Sequence, residues 1–476
     1  MFLIQNCMRE RVRGAKSNEV KRVKAVGIDI GTTTICSVVI DVETGELLEA
    51  DTKRNGSRLP EEFPGAHLQD PDMILAICLE CLENIFDKYT DIYSIGVTGQ
   101  MHGILYLDPQ GNAVSPLYTW QDHRGDQPFK GETYATWIST KSGFRLSSGY
   151  GAVTHFYNAY NRLVSERASV LCTIPDYVVM KLSGRVRPVL HASMAASIGM
   201  YDGEKELFDY AAIKHCGLQS DFFPEVVKEI PVGMWRGAIV APAFGDNQAC
   251  FLGAVGKDGN VLVNIGTGSQ VSVYSSQNFC LDEIESRPYI GKSYLLCGAS
   301  LCGGYSYEIC KNFIAEILEK YGVFDVKDFY SVMNQMAEET YKEKKQKCEK
   351  VIIETTFNGT RADGTRKGKI LNLTEKNFRP GDFCLGILEG VIKELHEFYL
   401  KMPKEVRNAE CVIVSGNGMR RNRVMRKLCG EIFEADVRLP LYKEEASYGA
   451  ALFSLLAAGV IKDRTEIYEK LRYERG

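Results

Sequence analysis

No run of eighteen apolar residues occurs in this chain of 476, which argues against a membrane-spanning helix. Charge of one sign is lacking too. The 57 basic and 61 acidic residues leave a formal net charge of -4, which gives no footprint for nucleic acid. Neither GxxxxGK[ST] nor GxGxxG is present. The P-loop fingerprint is therefore missing, and a dinucleotide fold gains no support. No short-period tandem repeat and no helix-turn-helix segment is visible. What remains is 45% hydrophobic, 25% charged and 10% aromatic, the profile of an average globular chain. The length allows about two to four domains, each with its own core.

Fifteen cysteines are present, an odd and scattered set. Most, such as Cys36, Cys250, Cys310 and Cys411, sit in apolar runs. They read as buried free thiols in a reducing, cytoplasmic compartment. Cys78 and Cys81 form one CxxC inside a helical pattern. No second Cys or His pair lies nearby, so a helix face is the better reading than zinc. Residues 1–23 are basic: Arg9, Arg11, Arg13, Lys16, Lys21 and Arg22 face only Glu10 and Glu19. They lack the apolar core and cleavage site of a secretory signal. A disordered arm ahead of the first strand is expected.

Lys24 to Ile30 is a short apolar run, followed by Gly31-Thr32-Thr33-Thr34 and a second β-rich run over 35–41. Strand, polar turn and strand predict a hairpin. The spacing of Met73, Ile77, Cys81 and Ile85 predicts a helix over 71–88. A strand over 92–97 ends in Thr98-Gly99-Gln100-Met101-His102-Gly103 and resumes over 104–107. Residues 108–160 look like a long connection that carries function. A helix is expected over 175–182, with Thr173 as its cap. Residues 248–255 are small and apolar, as in a tightly packed helix. Val261 to Ile265, then Gly266-Thr267-Gly268-Ser269, then 271–274 repeat the opening scheme. Two copies of one turn, about half a chain apart, suggest two similarly built lobes facing one nucleotide. Further on, Ile387, Val391, Leu395, Phe398 and Met402 form one face of a helix over 386–402. A strand over 411–414 enters Ser415-Gly416-Asn417-Gly418. Residues 443–458 read as a final amphipathic helix carrying Ala446, Gly449, Ala450 and Ala451.

Several of these segments suit one chemistry. In Asp29-Ile30-Gly31-Thr32-Thr33-Thr34, Gly31 frees the backbone for a tight turn. Hydroxyls and amides can then grip phosphate oxygens. Asp29 can hold Mg²⁺ through water, since Mg²⁺ favours one or two carboxylates plus phosphate. An ordinary hairpin turn is the competing reading. Gly266, Thr267 and Gly268 follow the same logic with the same alternative. Gly416 and Asn417 leave room for a flat adenine or ribose, or form a plain βα turn. Asp246, in Gly245-Asp246-Asn247, is a candidate general base at a helix start, or an N-cap. Gln100, Met101, His102, Trp120, Asp122 and Asn247 supply the donors, carboxylate and aromatic face that a polyhydroxylated sugar needs.

In this order, the segments resemble the FGGY carbohydrate kinase family from about residue 24 to the end. The motifs that carry the resemblance are Asp29–Thr34, Gln100–Gly103, Trp120–Asp122, Gly245–Asn247, Gly266–Ser269, Ser415–Asn422 and Glu445–Ala451. The resemblance implies an α/β fold of two actin-like, ribonuclease H-like ATPase domains with a catalytic cleft between them. It places them at 24–257 and 258–476. It implies ATP and Mg²⁺ as cofactors and a sugar hydroxyl as acceptor. Asp246 would be the base, and Asp29 would support Mg²⁺. Gly31, Thr32, Thr33, Gly266, Thr267 and Gly268 would line the phosphates. Gly416 and Asn417 would lie by the adenine. Residues 148–154 and 176–184, running to Ala195-Ala196-Ser197, favour a branch acting on sedoheptulose over one acting on xylulose or another pentulose. His155-Phe156-Tyr157-Asn158 departs from the Lys-containing segment of most members. The expected partner is a small-molecule sugar, with homodimerisation open, and neither nucleic acid nor membrane. An actin- or Hsp70-like ATPase and a silent sugar sensor are the alternatives from other classes.

Overall fold

The computed structural model describes residues 23–323, 326, 328–344, 350–360 and 363–475. Apart from Val23, the basic arm expected over 1–23 lies outside the described residues. The chain forms two compact α/β units. One takes the chain as far as Gly253 and adds Pro288–Gly291 and Glu444–Lys470. The other consists of Ala254–Arg287, Lys292–Lys443 and Leu471–Gly476. The expected division at 257/258 is therefore not a single cut, because residues 444–470 belong with the first unit.

The first unit is built on a mixed sheet. Its order is Gly233–Trp235, Ala238–Val240, Ile92–Gly99, Lys24–Ile30, Thr34–Asp41 and Leu47–Arg54. Lys24–Ile30 pairs antiparallel with Thr34–Asp41 and parallel with Ile92–Gly99. Val26, Ile28 and Ile30 alternate with Ala25, Gly27 and Asp29, and the strand is covered on both faces. The second unit repeats the scheme. Its order is Glu285–Pro288, Tyr294–Ser300, Ser269–Ser275, Val261–Ile265, Cys411–Ser415, Asp436–Pro440 and Tyr473–Arg475. Val261–Ile265 pairs antiparallel with Ser269–Ser275 and parallel with Cys411–Ser415. Each turn expected to bind phosphate thus joins a central strand to its antiparallel neighbour.

Helix Pro71–Lys88 starts where the sequence places a start signal. Pro71 opens it, and Asp70 accepts hydrogen bonds from the Asp72 and Met73 amides. Its buried face holds Ile74, Cys78, Cys81, Leu82 and Ile85, while Met73 is exposed. Of the expected face, Cys81 and Ile85 are buried and Ile77 is half-buried, but Met73 is exposed, and Ile74, Cys78 and Leu82 complete the inward side. None of the described cysteines is joined in a disulfide, and of them only Cys280 is exposed. Leu105–Leu107 does not resume the strand before it. It pairs antiparallel with Val170–Cys172 in a separate two-stranded sheet. The long connection after it holds helices Tyr134–Ser142 and Gly151–Tyr160.

Helix Glu445–Ala457 is not amphipathic. Eleven of its residues are buried, including Ser447, Tyr448 and Ser454. Nor is it the last element, since Arg464–Tyr468 and Tyr473–Arg475 follow. It packs directly on the first sheet at Gly27 and Gly96, which face each other across the parallel ladder. A Cβ on Gly27 would lie 1.8 Å from Ser447 O, and one on Gly96 1.9 Å from Ala450 O. On its other side, a Cβ on Gly449 would lie 1.8 Å from Ala249 O in helix Asp246–Ala254. Small residues at 446, 449, 450 and 451 are therefore what let a helix lie between a sheet and a second helix.

Helix Ile174–Leu182 is capped by Thr173, as expected. Behind that cap Asp176 is fully buried, with Thr173 Oγ1 donating to its Oδ2 at 2.5 Å. Its Oδ1 has no partner. Burial pushes the carboxyl up to about 8, against the opposing hydrogen bonds from Thr173. A carboxyl raised on folding stabilises fully below its ordinary value of 3.8, and that contribution is lost as pH rises through the folded value. Asp176→Asn should therefore gain on the parent protein by about 1.4 kcal/mol per pH unit between those limits. Urea unfolding at pH 5 and pH 8.5 checks this; equal gaps at both pH values would contradict it.

Candidate active site

In open α/β sheets, ligands gather beyond the carboxyl ends of parallel strands. Both units place the expected residues there. In the first unit Asp29 pairs with Thr98, and Thr98 pairs with Phe244. Three neighbouring strand ends thus carry Asp29, Gln100 and Asp246 to one edge of the sheet. Burial pushes the Asp29 carboxyl up to about 7, with the carboxylates of Asp246 and Glu444 adding to the rise. Like charges act this way only at short range, so the three carboxyls share one neighbourhood. No cation is among the groups that set this ionisation. An oxygen-only donor set of this kind suits a hard divalent ion such as Mg²⁺. Among the described residues, no three His, Cys, Asp or Glu side chains converge tightly enough to chelate a metal alone. Water and phosphate would have to complete the shell.

The first turn is held from beneath. Asn55 Nδ2 donates to Gly31 O at 2.8 Å, and Gln69 Nε2 donates to Thr32 O at 2.9 Å. The Asn55 amide donates to Thr33 O at 2.8 Å. With the carbonyls tied back, Thr33 stays exposed at the tip. Trp120 Nε1 donates to Thr32 Oγ1 at 3.2 Å, and the indole is 47% exposed. An exposed aromatic face thereby lies beside the Gly31–Thr33 turn. Gln100 Nε2 donates to Gln69 Oε1 at 2.8 Å, so one network runs from Gln100 through Gln69 to Thr32 and Trp120. The Gln100 carbonyl Oε1 is buried without a partner. An orphan acceptor is costly, and a ligand hydroxyl would relieve that cost.

Met101 is buried beside the Gly245 backbone. A Cβ on Gly245 would lie 3.0 Å from Met101 Cε and 2.3 Å from Gln248 Oε1. His102 adopts φ 71°, a rare conformation for a non-glycine residue. Its amide donates to Ser197 Oγ at 3.2 Å, and its Nδ1 donates to Ser197 O at 2.8 Å. The ring lies 4.4 Å from that of Tyr150. Asn247 is buried beside Asp246, and its amide donates to Asp246 Oδ1. The turn that carries Asp246 is pinned twice more, by Thr98 Oγ1 donating to Phe244 O at 2.7 Å and the Gly245 amide donating to Ser193 Oγ at 3.0 Å.

Asp122 does not present its carboxylate as a sugar contact would. It is buried, with Oδ1 accepting from Arg124 N and Nε and Oδ2 accepting from His67 N and Arg124 Nη2. Arg124, itself buried, stacks 4.1 Å from the Tyr118 ring and donates to Asn158 Oδ1 at 2.6 Å. Asn158 in turn donates to Tyr106 Oη, which bonds His155 Nδ1 at 2.9 Å. His155 is therefore a core residue. Burial holds it down to about 4, so it is neutral at pH 7. The Trp-Gln-Asp segment is thus split in role: Trp120 faces out, and Asp122 anchors a buried polar network. Arg124→Ala should cost about 3–5 kcal/mol, because it strands the Asp122 carboxylate. A shift in the urea midpoint measures the loss, and an unchanged midpoint would contradict it.

In the second unit Gly266, Thr267 and Gly268 are exposed. The turn closes through Gly266 N–H donating to Gly268 O at 3.0 Å. Helix Gly304–Lys320 begins against it, with Gly304 N–H donating to Gly266 O and Tyr305 N–H to Thr267 O. A Cβ on Gly303 would lie 2.3 Å from Gly268 O, so that glycine is required for the close approach. Gly416 has φ 87°, and a Cβ there would lie 2.4 Å from Ile265 O. The pairing of Asn264 with Ser415 sets the two motifs side by side. Gly416, Asn417, Gly266 and Thr267 therefore occupy one edge of the second sheet.

Sequence reasoning missed Gln69, Ser193, Glu444 and Gly303. None sits in a recognisable motif, and each acts through a fold contact. A signal existed only for Gly303, in the pair Gly303-Gly304 ahead of a helical pattern.

Comparison with known proteins bears on the same residues. The model of the FGGY family of carbohydrate kinases, N-terminal domain, matches residues 24–249, and that of its C-terminal domain matches residues 262–458. The chain belongs to the FGGY family of carbohydrate kinases. It is thus a phosphotransferase with an alcohol group as acceptor. Among its FGGY relatives, mouse sedoheptulokinase is 25% identical, covering 91% of this chain and 98% of its own. Human sedoheptulokinase is 24% identical over 90% and 97%. Xylulose kinase from Staphylococcus xylosus is 23% identical over 90% of each. Gluconate kinase from Lactobacillus acidophilus shares the fold with a TM-score of 0.80 at 19% identity, over 95% of this chain and 92% of its own. The ligand-bound xylulose kinase from the same organism gives 0.79 at 19%, over 95% and 93%. The two-unit, actin-like ATPase architecture is that of these FGGY kinases. Among the described residues no helix is long and apolar enough to cross a membrane.

Proposed function

We propose that this carbohydrate kinase transfers the γ-phosphoryl group of ATP to the terminal hydroxyl of a ketose, sedoheptulose first among them. The observation that carries this reading is the edge where Asp246, Asp29 and the orphan Gln100 carbonyl lie together. Gln100, Met101 and Trp120 orient the sugar. Asp246 accepts the proton of the attacking hydroxyl, a step in which placement matters more than basicity. Asp29, with Asp246 and Glu444 beside it, is the residue that would hold Mg²⁺. When bound, that ion supplies positive charge to phosphate oxygens. The exposed turns at Thr32-Thr33 and at Gly266-Thr267-Gly268 receive phosphate, and Gly416-Asn417 leaves space for the adenine. The resemblance to the mammalian sedoheptulokinases over nine-tenths of the chain supports sedoheptulose. The Staphylococcus xylosus relative supports a pentulose as second reading.

The test is ADP release from MgATP with sedoheptulose, D-xylulose, D-ribulose, L-ribulose, D-fructose, glycerol and gluconate. The highest kcat/KM is expected with sedoheptulose. A higher value with a pentulose would keep the mechanism and overturn the substrate. ADP release indifferent to every sugar would overturn both.

A further inference from the structure

Asp246 follows Gly245, and the Gly245 backbone is held by a side chain outside the recognised motifs. Ser193 Oγ accepts the Gly245 N–H at 3.0 Å. Ser193 also donates its own backbone N–H to His191 Nδ1 at 3.2 Å, with Oγ 2.9 Å from the same nitrogen. A nitrogen that accepts an N–H carries no proton, so the neutral ring holds its proton on Nε2. His191 Nε2 then donates to Glu229 Oε1 at 3.2 Å. The same oxygen accepts Gly291 N–H at 2.7 Å. Each step has one direction: Gly245 N–H to Ser193, Ser193 O–H to His191, His191 Nε2–H to Glu229. Burial opposes ionisation of Glu229, but the hydrogen bonds from His191 Nε2 and the Gly291 N–H favour the carboxylate and hold its carboxyl below the ordinary range. The chain therefore ends on a charged acceptor. His191 and Ser193 are both buried. Phe244 and Phe453 rings lie 5.2 and 5.3 Å from the imidazole and fix its plane.

We propose that Ser193 is a positioning residue for Asp246, and that His191 and Glu229 act through it by fixing the direction of its hydroxyl. The proposal rests on the reading of Asp246 as the base. Physically, the hydroxyl proton of Ser193 can point at His191 or elsewhere. Pointed at His191, it leaves a lone pair aimed at the Gly245 amide. That amide anchors the Phe244–Gly245 peptide, one peptide ahead of Asp246, so a swing there moves the carboxylate away from the sugar hydroxyl. Misplacement of a reacting group by about 1 Å costs on the order of 10²-fold in rate. Sugar contacts at Gln100, Met101 and Trp120 do not pass through this chain, so sugar affinity should not follow.

The two sides of the imidazole can be separated by substitution. His191→Asn keeps an acceptor where Nδ1 stood, and so keeps the Ser193 hydroxyl direction. His191→Gln keeps a donor where Nε2 stood, and loses that acceptor. Steady-state ADP release is measured for Ser193→Ala, Ser193→Thr, His191→Asn and His191→Gln with the best ketose of the panel above, with Asp246→Asn beside them. Titration calorimetry gives the dissociation constant of the same ketose. Ser193→Ala should lower kcat about 10- to 100-fold with sugar affinity within about twofold. Ser193→Thr should restore most of the rate, and His191→Asn should outperform His191→Gln. Equal losses for the two His191 variants, or a Ser193→Ala enzyme with normal kcat beside a dead Asp246→Asn, would overturn the positioning role. An active Asp246→Asn would overturn it at its root, by removing the base reading. A Ser193→Ala protein that melts earlier with kcat per folded molecule unchanged would mark Ser193 as structural only.

Discussion

Asp246→Asn should lower turnover by about 10²- to 10⁴-fold, the range a positioned proton acceptor contributes. Asn matches Asp in size, and it can still accept the Asn247 amide that Asp246 Oδ1 holds. It cannot take up the proton of the attacking hydroxyl. The dissociation constant of the ketose should stay within about twofold, because the proposed sugar contacts lie on Gln100, Met101 and Trp120. Removing one of three neighbouring carboxylates should also let the Asp29 carboxyl fall from about 7, since Asp246 helps hold it up. Rapid-quench measurement of the first turnover separates the chemical step from product release. Near-normal single-turnover rates would contradict the base assignment.

Gly96→Ala should be among the most destabilising single-methyl additions in the molecule. The new Cβ would lie 1.9 Å from Ala450 O and 2.5 Å from Ala450 C. Both are backbone atoms of a helix buried on nearly every side, so no flexible side chain can move away. Sheet or helix must shift as a body. A loss of at least about 3 kcal/mol is expected, at the upper end for overpacking. Gly27→Ala should behave alike, for its Cβ meets Ser447 O at 1.8 Å. Gly364→Ala is the control, with no atom within 4 Å of the new methyl. Thermal melting of the three variants tests this. Equal midpoints for Gly96→Ala and Gly364→Ala would contradict the packing account. The loss should reach activity as well, because helix Glu445–Ala457 also packs on helix Asp246–Ala254, which begins at the proposed base.

Those two glycines show what kind of information the sequence carries. The hairpins around Gly31 and Gly266 were legible because strand, turn and strand are local signals. So was helix Pro71–Lys88, from the spacing of its apolar residues. The inward face of that helix was read in part: Cys81 and Ile85 are buried but Met73 is not, because periodicity fixes a face only to within a residue when apolar side chains lie on either flank. The small residues of 446–451 were visible as a cluster. That they lie against Gly27 and Gly96, more than 350 positions earlier, was not. Contacts at such separation leave no periodic trace, and the same is true of unit membership. Nothing local in residues 444–470 marks them as part of the first unit.

The candidate site divides along the same line. Asp29, Gln100 and Asp246 stand at neighbouring strand ends in short motifs, so their placement at one edge was legible from sequence. Asp122 was read by type as a sugar ligand, yet its carboxylate is filled by Arg124 two residues on and by the distant His67 amide. His155 stands in a segment that departs from most members of the family, and no role for it was legible there. Its environment makes it a neutral core hydrogen-bonding partner of Tyr106. Ser193 and Gln69, which hold the reactive segments in place, are ordinary polar residues in sequence. Only their hydrogen bonds distinguish them.

The central claim is phosphoryl transfer to the terminal hydroxyl of a ketose. Phosphorus NMR of the protein incubated with MgATP and sedoheptulose tests it directly. The account predicts a new phosphomonoester signal, coupled to the two protons of a terminal CH₂, growing one for one with ADP. Inorganic phosphate growing with ADP, and no ester signal, would contradict it.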